Sequence, residues 1–110
     1  MDVKNKRVVV TGAASGIGKA LCEAFHQAKA QSVIAVDMNF DGAQDTADSV
    51  NGIAVQANVG NEKDIINVIE KADEHAGGTD IFCSNAGSGG VPGFFEVKGS
   101  DWQNIWDVNG

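Results

Sequence analysis

The sequence predicts an α/β fold built on a doubly wound parallel sheet, on the strength of three observations. Four short apolar runs recur along the chain: Val8 to Val10, Val33 to Val36, Ile53 to Val55 and Ile81 to Cys83. None alternates with polar residues, which is the pattern of strands covered on both faces. The segments between the runs carry apolar residues at helical spacing, and the first of them opens on a glycine cluster, Thr11-Gly12-Ala13-Ala14-Ser15-Gly16-Ile17-Gly18.

Taken in order, the first run is followed by Ile17, Leu21, Ala24 or Phe25, and Ala28, and the second by Ala43, Ala47 and Val50. Each set marks one face of a helix. The third connector begins at Asn61, a good N-cap, and places Glu62 and Asp64 where the helix dipole favours anions. It stacks Ile65, Ile69 and Ala72 and stops at Gly77-Gly78. After the fourth run comes the glycine-rich stretch Gly87 to Gly93, with the sole proline, Pro92, read as a loop. Ser100-Asp101-Trp102-Gln103 then forms a capping-box pattern, with Trp102, Ile105 and Trp106 on one helical face. The order is β-α-β-α-β-α-β, a loop, and the start of another helix. Right-handed crossovers put helices on both faces of such a sheet.

Composition narrows the function. At 110 residues the chain holds one domain at most, and 43% apolar with 21% charged residues is ordinary globular usage. A net charge of -7 repels phosphate backbones and anionic lipid, so neither nucleic acid nor membrane is an expected partner. No apolar stretch reaches the roughly 18 residues of a membrane span, and residues 1–7 lack a signal peptide's apolar centre, so a cytoplasmic location is expected. Cys22 and Cys83 have no CxxC spacing and are expected to be buried, reduced thiols. Cys22 and His26 stand one helical turn apart, but two ligands do not make a zinc site, and no metal is expected.

Gly12, Gly16 and Gly18 let a backbone turn tightly, approach a pyrophosphate and pack helix on strand, while the helix N-terminus offers N–H donors to phosphate oxygens. Ser15 and Ile17, lying among them, join the expected cofactor contacts. The spacing is G-x-x-x-G-x-G rather than G-x-G-x-x-G, and its position after a strand and before a helix is what makes it informative. A triphosphate P-loop is excluded: Gly12 precedes Gly18 by one residue too many, and Ala20 stands where a Ser or Thr is needed. Asp37, ending the second run, can accept both hydroxyls of an adenosine ribose and would repel a 2′-phosphate. Ala13, Ala14, Ser15 and Met38 bring no basic residue to offset that repulsion, so NAD is expected over NADP, with Met38 among the expected cofactor contacts. The other reading of Asp37 is a solvated residue opening a turn before Asn39.

These residues resemble the short-chain dehydrogenase/reductase family along nearly the whole chain. Besides Thr11 to Gly18, Asn58-Val59 resembles the family's Asp-Val pair at the adenine, and Ser84-Asn85-Ala86-Gly87 its Asn-Asn-Ala-Gly. Val108-Asn109 fits the helix bearing its active-site asparagine. Two positions depart from the pattern: Asn58 replaces an Asp and can still accept from an adenine amino group through its amide oxygen, and Ser84 replaces an Asn. The resemblance implies a Rossmann-type sheet, an NAD-dependent reaction on a secondary alcohol or ketone, and a homo-oligomer that uses the helix beginning at Ser100. It also implies that Asn109 holds a water leading to a catalytic lysine. The other reading of Asn109 is a frayed terminal residue. The chain contains no tyrosine, so the family's Tyr-x-x-x-Lys pair and its serine have no place here. Residues 1–110 are therefore expected to be the cofactor-binding half of a longer enzyme, with four N-terminal strands and flanking helices, the C-terminal strands absent, and the run at Ile81 left as an exposed edge. The loop Gly87 to Phe95 is expected to border the substrate, Phe94 and Phe95 being either apolar walls or core aromatics. The alternative function is a non-catalytic NAD-binding or assembly module.

Overall fold

In the computed structural model, residues 3–84 and the backbone of 93–96 are described. Four parallel strands, β1 (Arg7–Thr11), β2 (Ser32–Asp37), β3 (Ile53–Gln56) and β4 (Ile81–Ser84), and a fifth, β5 (Gly93–Glu96), form one sheet in the order β3-β2-β1-β4-β5. Val9 lies level with Ile34 on one side and Phe82 on the other. The connecting helices are α1 (Gly16–Gln27), α2 (Phe40–Ser49) and α3 (Glu62–Ala76).

Strand alternation sorts the apolar residues into two cores. Val8, Val10, Val33, Ala35, Ile81 and Cys83 face one side, where Cys22 and Phe25 of α1 and Ala47 of α2 cover them. Val9, Ile34, Val36, Val55 and Phe82 face the other, beneath Val68 and Ala72 of α3. Burial on both faces explains why the runs are continuously apolar, and the doubly wound parallel architecture is as expected.

Local chemistry sets the helix ends. Asn39 caps α2 by accepting from Gly42 N–H at 3.2 Å. Asn61 caps α3, its Oδ1 accepting from Lys63 and Asp64 N–H at 2.9 and 3.4 Å, with Glu62 and Asp64 in the first turn. At the far end Gly77 takes φ 82°, a left-handed cap that glycine adopts without a side-chain clash.

Two expectations are corrected. The buried stripe of α1 is Gly18, Cys22 and Phe25: of the expected line Ile17, Leu21, Ala24 or Phe25, and Ala28, the Phe25 alternative is buried and Leu21 packs half-buried against the same core, whereas Ile17 is 56% exposed. The helix turns that way because Gly18 is seated directly on Gly12: a Cβ on Gly18 would lie 2.0 Å from the Gly12 carbonyl oxygen. Secondly, β4 (Ile81–Ser84), expected to be an exposed edge, has a partner on that side. Within the stretch expected to be loop, β5 pairs with it antiparallel, Cys83 opposite Phe94 and Ser84 opposite Gly93. A row of unpaired N–H and C=O groups beside an apolar strand is a strong template for any extended segment within reach. The side chains of 93–96, and the expected helix at Ser100 with Trp102, Ile105 and Trp106, lie outside the described residues.

Candidate functional site

The carboxyl ends of β1, β2 and β3 bring three polar segments to one margin of the sheet. From β1 the chain enters a turn in which Gly12 has φ 66°, a conformation that disfavours any side chain. Ser15 then caps α1: its Oγ donates to the Gly12 carbonyl at 2.8 Å and accepts from Gly18 N–H at 3.0 Å. Lys19 N–H closes the first helical bond on the Ser15 carbonyl at 2.8 Å. The N–H groups of Gly16 and Ile17 are left with no acceptor among the described residues, as the first turn of a helix dictates. Those two donors and the positive end of the helix dipole point outward.

Each glycine of the turn has a separate reason. Gly12 is needed for its backbone angle and Gly18 for close packing. Gly16 is needed for neither: a Cβ there would meet nothing within 4 Å. Space is kept clear beside two free N–H donors, where a phosphate can approach the backbone.

The turn is fastened in place from two sides. Ala13 N–H donates to the Val36 carbonyl at 3.0 Å, and the buried Thr46 hydroxyl of α2 donates to the Ala13 carbonyl at 2.8 Å. Asp37 supplies the third tie, its Oδ2 accepting from Ala14 N–H at 3.0 Å and its Oδ1 from Asn39 N–H at 2.9 Å. Both carboxylate oxygens are thus oriented by backbone donors, and each keeps a further lone pair for a ligand. The hydrogen bond to Ala14 was not apparent from the sequence, because it depends on the first turn meeting the end of β2. Beside Asp37, Met38 is 64% exposed, and Ile17 and Phe40 are further large apolar side chains open to solvent.

At the end of β3, Ala57 N–H donates to the Asp37 carbonyl at 3.1 Å, so Asn58 follows immediately beside the Asp37 corner. Asn58 is exposed and Val59 half-buried. The Asn58 amide oxygen, expected to face a ligand, accepts from Gly60 N–H at 2.9 Å, and its backbone N–H donates to Asp64 Oδ2 at 2.8 Å. Thus Gly12, Ser15, Gly16, Ile17, Gly18, Asp37, Met38, Asn58 and Val59 are brought to one margin. Asn85, Ala86, Gly87 and Asn109 lie outside the described residues. The two cysteines are buried free thiols, and among the described residues no three His, Cys, Asp or Glu side chains gather as a metal set. Nor is any described helix long and apolar enough to cross a membrane.

A parallel sheet whose strands run 3-2-1-4, with a glycine-cleared helix N-terminus after β1 and an acidic residue ending β2, is a Rossmann-type dinucleotide-binding architecture. The donor set fits such a ligand: free N–H groups for a pyrophosphate, a carboxylate for a ribose, and an exposed Met38 for an apolar surface. The sequence profile described as short chain dehydrogenase matches residues 6–110, and the chain belongs to that family. Membership implies a nicotinamide dinucleotide as cofactor.

Glucose 1-dehydrogenase 2 of Bacillus subtilis (strain 168) is 35% identical to the chain, the match covering 98% of the chain and 44% of that relative. Among solved structures, hydroxysteroid dehydrogenase from Escherichia coli superposes with a TM-score of 0.69 at 28% identity, over 73% of this chain and 35% of that one. Ribose-5-phosphate isomerase from Brucella melitensis 16M gives 0.72 at 28% identity, over 78% and 33%. Differently named proteins on one backbone mean that the reaction must be argued from the site. The chain spans less than half the length of the curated relatives it matches.

Proposed function

We propose that the whole protein is an NAD-dependent oxidoreductase acting on a secondary alcohol or the corresponding ketone, and that residues 1–110 form its cofactor-binding half. The observation that carries this reading is the Asp37 carboxylate, held at the carboxyl end of β2 by Ala14 and Asn39 N–H beside the cleared helix N-terminus. A fixed anion there takes ribose hydroxyls and repels a 2′-phosphate, and no Lys or Arg occurs from Gly12 to Gly18 or from Met38 to Gly42 to offset it. When bound, the nicotinamide supplies hydride exchange with a carbinol or carbonyl carbon. The chain's own residues bind and orient it: Gly16 and Ile17 N–H at the pyrophosphate, Asp37 at the ribose, and Met38 against the adenosine.

The reading is tested by titrating the whole protein with NAD and NADP by calorimetry, with and without Asp37→Ala. NAD is expected to bind the unsubstituted protein at least about tenfold tighter than NADP, and the substitution to narrow that gap by weakening NAD. Unchanged NAD affinity in Asp37→Ala would remove the ribose assignment.

A further inference from the structure

The Asn58 corner departs from the acidic residue that the family pattern places there, and its geometry fixes what the departure does. Gly60 N–H is a donor, so the atom facing it at 2.9 Å must be the amide oxygen, and the opposite pole of the side chain is the NH₂ group. That NH₂ has no acceptor among the described residues, and the same holds for the Val59 N–H that follows. Asn58 is exposed and adjoins the Asp37 corner, through Ala57 N–H on the Asp37 carbonyl and Gln56 Nε2 on the Met38 carbonyl at 3.1 Å. A base continuing from a ribose at Asp37, over Met38, therefore meets a corner whose two donors without a partner among the described residues are the Asn58 NH₂ and the Val59 N–H, the neighbouring Asp64 carboxylate being engaged through Oδ2 by the Asn58 N–H.

Base edges differ in the groups they offer. Adenine carries a 6-amino donor, whereas a 6-oxopurine carries an acceptor at the same position. An aspartate at 58 could only accept: it would select the amino group and repel the oxo oxygen. The NH₂ of Asn58 can donate to a 6-oxo oxygen and equally to a ring nitrogen of adenine. We infer that Asn58 relaxes the base selectivity of the cofactor site, so that dinucleotides of a 6-oxopurine are taken alongside those of adenine. The inference rests on the dinucleotide reading given above, and it assigns to one side chain a selectivity that the rest of the site leaves open.

The test is calorimetric titration of the whole protein with nicotinamide adenine dinucleotide and with nicotinamide hypoxanthine dinucleotide, repeated on Asn58→Asp. The two affinities are expected to agree within about fivefold in the unsubstituted protein. In Asn58→Asp, which keeps size and the acceptor for Gly60 N–H, the preference should shift toward adenine by about tenfold or more. A preference for adenine beyond fivefold in the unsubstituted protein would overturn the inference, and that measurement does not depend on the variant folding. So would an unchanged ratio in an Asn58→Asp protein whose circular dichroism is native. Failure is distinguishable from failure of the cofactor reading: adenine bound and hypoxanthine rejected removes only the role of Asn58, while neither bound removes both.

Discussion

Gly16 and Gly18 lie two residues apart in one turn, yet replacing them has opposite consequences. A methyl group on Gly18 would stand 2.0 Å from the Gly12 oxygen and 2.9 Å from Ala13 Cα, all backbone, so α1 must lift off the Gly12–Ala13 turn to admit it. Gly18→Ala is therefore expected to cost about 1–3 kcal/mol in urea unfolding, the usual range for forcing an extra methyl into a packed contact. Gly16→Ala adds its methyl to open space and removes a flexible residue from a helix, so stability should hold or rise by up to about 1 kcal/mol. Affinity for NAD should nonetheless fall by about tenfold or more, because the methyl would occupy the phosphate approach. A Gly16→Ala chain that binds NAD normally would mean that nothing enters there. All three glycines could be found in the sequence from their position between strand and helix. Their separate duties could not, since each depends on an atom of another segment. For the same reason the sequence directed the Asn58 oxygen at a ligand, while the fold engages it with Gly60.

At the scale of elements, the sequence located β1 to β4 to within one residue at each end, because a strand buried on both faces needs unbroken apolar composition and that property is local. The caps at Asn61 and Gly77 were legible for the same reason. β5 was not, because Gly93–Glu96 is drawn into the sheet by the vacant side of β4, a partner whose influence no local pattern records. The rotation of α1 was only partly legible, through Cys22 and the Phe25 alternative, because it is set by a glycine contact as well as by the apolar side chains. That rotation puts Cys22 into the core cluster that also contains Cys83 of β4, both fully buried. Burial pushes the Cys22 thiol up to about 12, with further contributions from Cys83 and Glu23, and burial alone raises Cys83 to about 11. Neither thiol supplies thiolate or an open path to a reagent at pH 8. Iodoacetamide labelling followed by mass spectrometry should therefore show both cysteines protected in the native chain and modified together once urea passes the unfolding midpoint. Modification of Cys22 alone before that point would show α1 detaching ahead of the sheet, and with it the floor of the glycine turn.

Over the whole molecule, the candidate site and the longest-range side-chain tie among the described residues sit at opposite ends of the strands. The carboxyl ends hold the candidate site, whereas at the amino end of β1 Arg7 joins residues 73 positions apart in the chain. Its Nε and Nη2 donate to Oδ2 and Oδ1 of Asp80, each at 2.9 Å; its backbone N–H also reaches Oδ2 at 2.9 Å, and Nη1 donates to the Gly77 carbonyl at 2.7 Å. The guanidinium thus ties β1 to the turn between α3 and β4, a closure that the sequence could not disclose because neither residue belongs to a recognisable motif. Hydrogen bonding from Arg7 lowers the Asp80 carboxyl from its ordinary 3.8 to about 2. A carboxyl lowered by folding stabilises the fold above its unfolded value, and that contribution disappears as the pH falls through the folded value. Compared with Asp80→Asn, the unsubstituted chain should therefore be more stable by about 1–2 kcal/mol at pH 6, a modest figure because both side chains are near 30% exposed and partly screened. The difference should shrink from about pH 4 and be largely gone by pH 2, as urea unfolding at successive pH values would record. NAD affinity at pH 7 should be the same in both chains, because the pair is remote from the Asp37 margin. A stability difference that persisted undiminished at pH 2 would assign the contribution of Asp80 to packing instead of charge, and a loss of NAD affinity in Asp80→Asn would show that the two ends of the sheet are coupled.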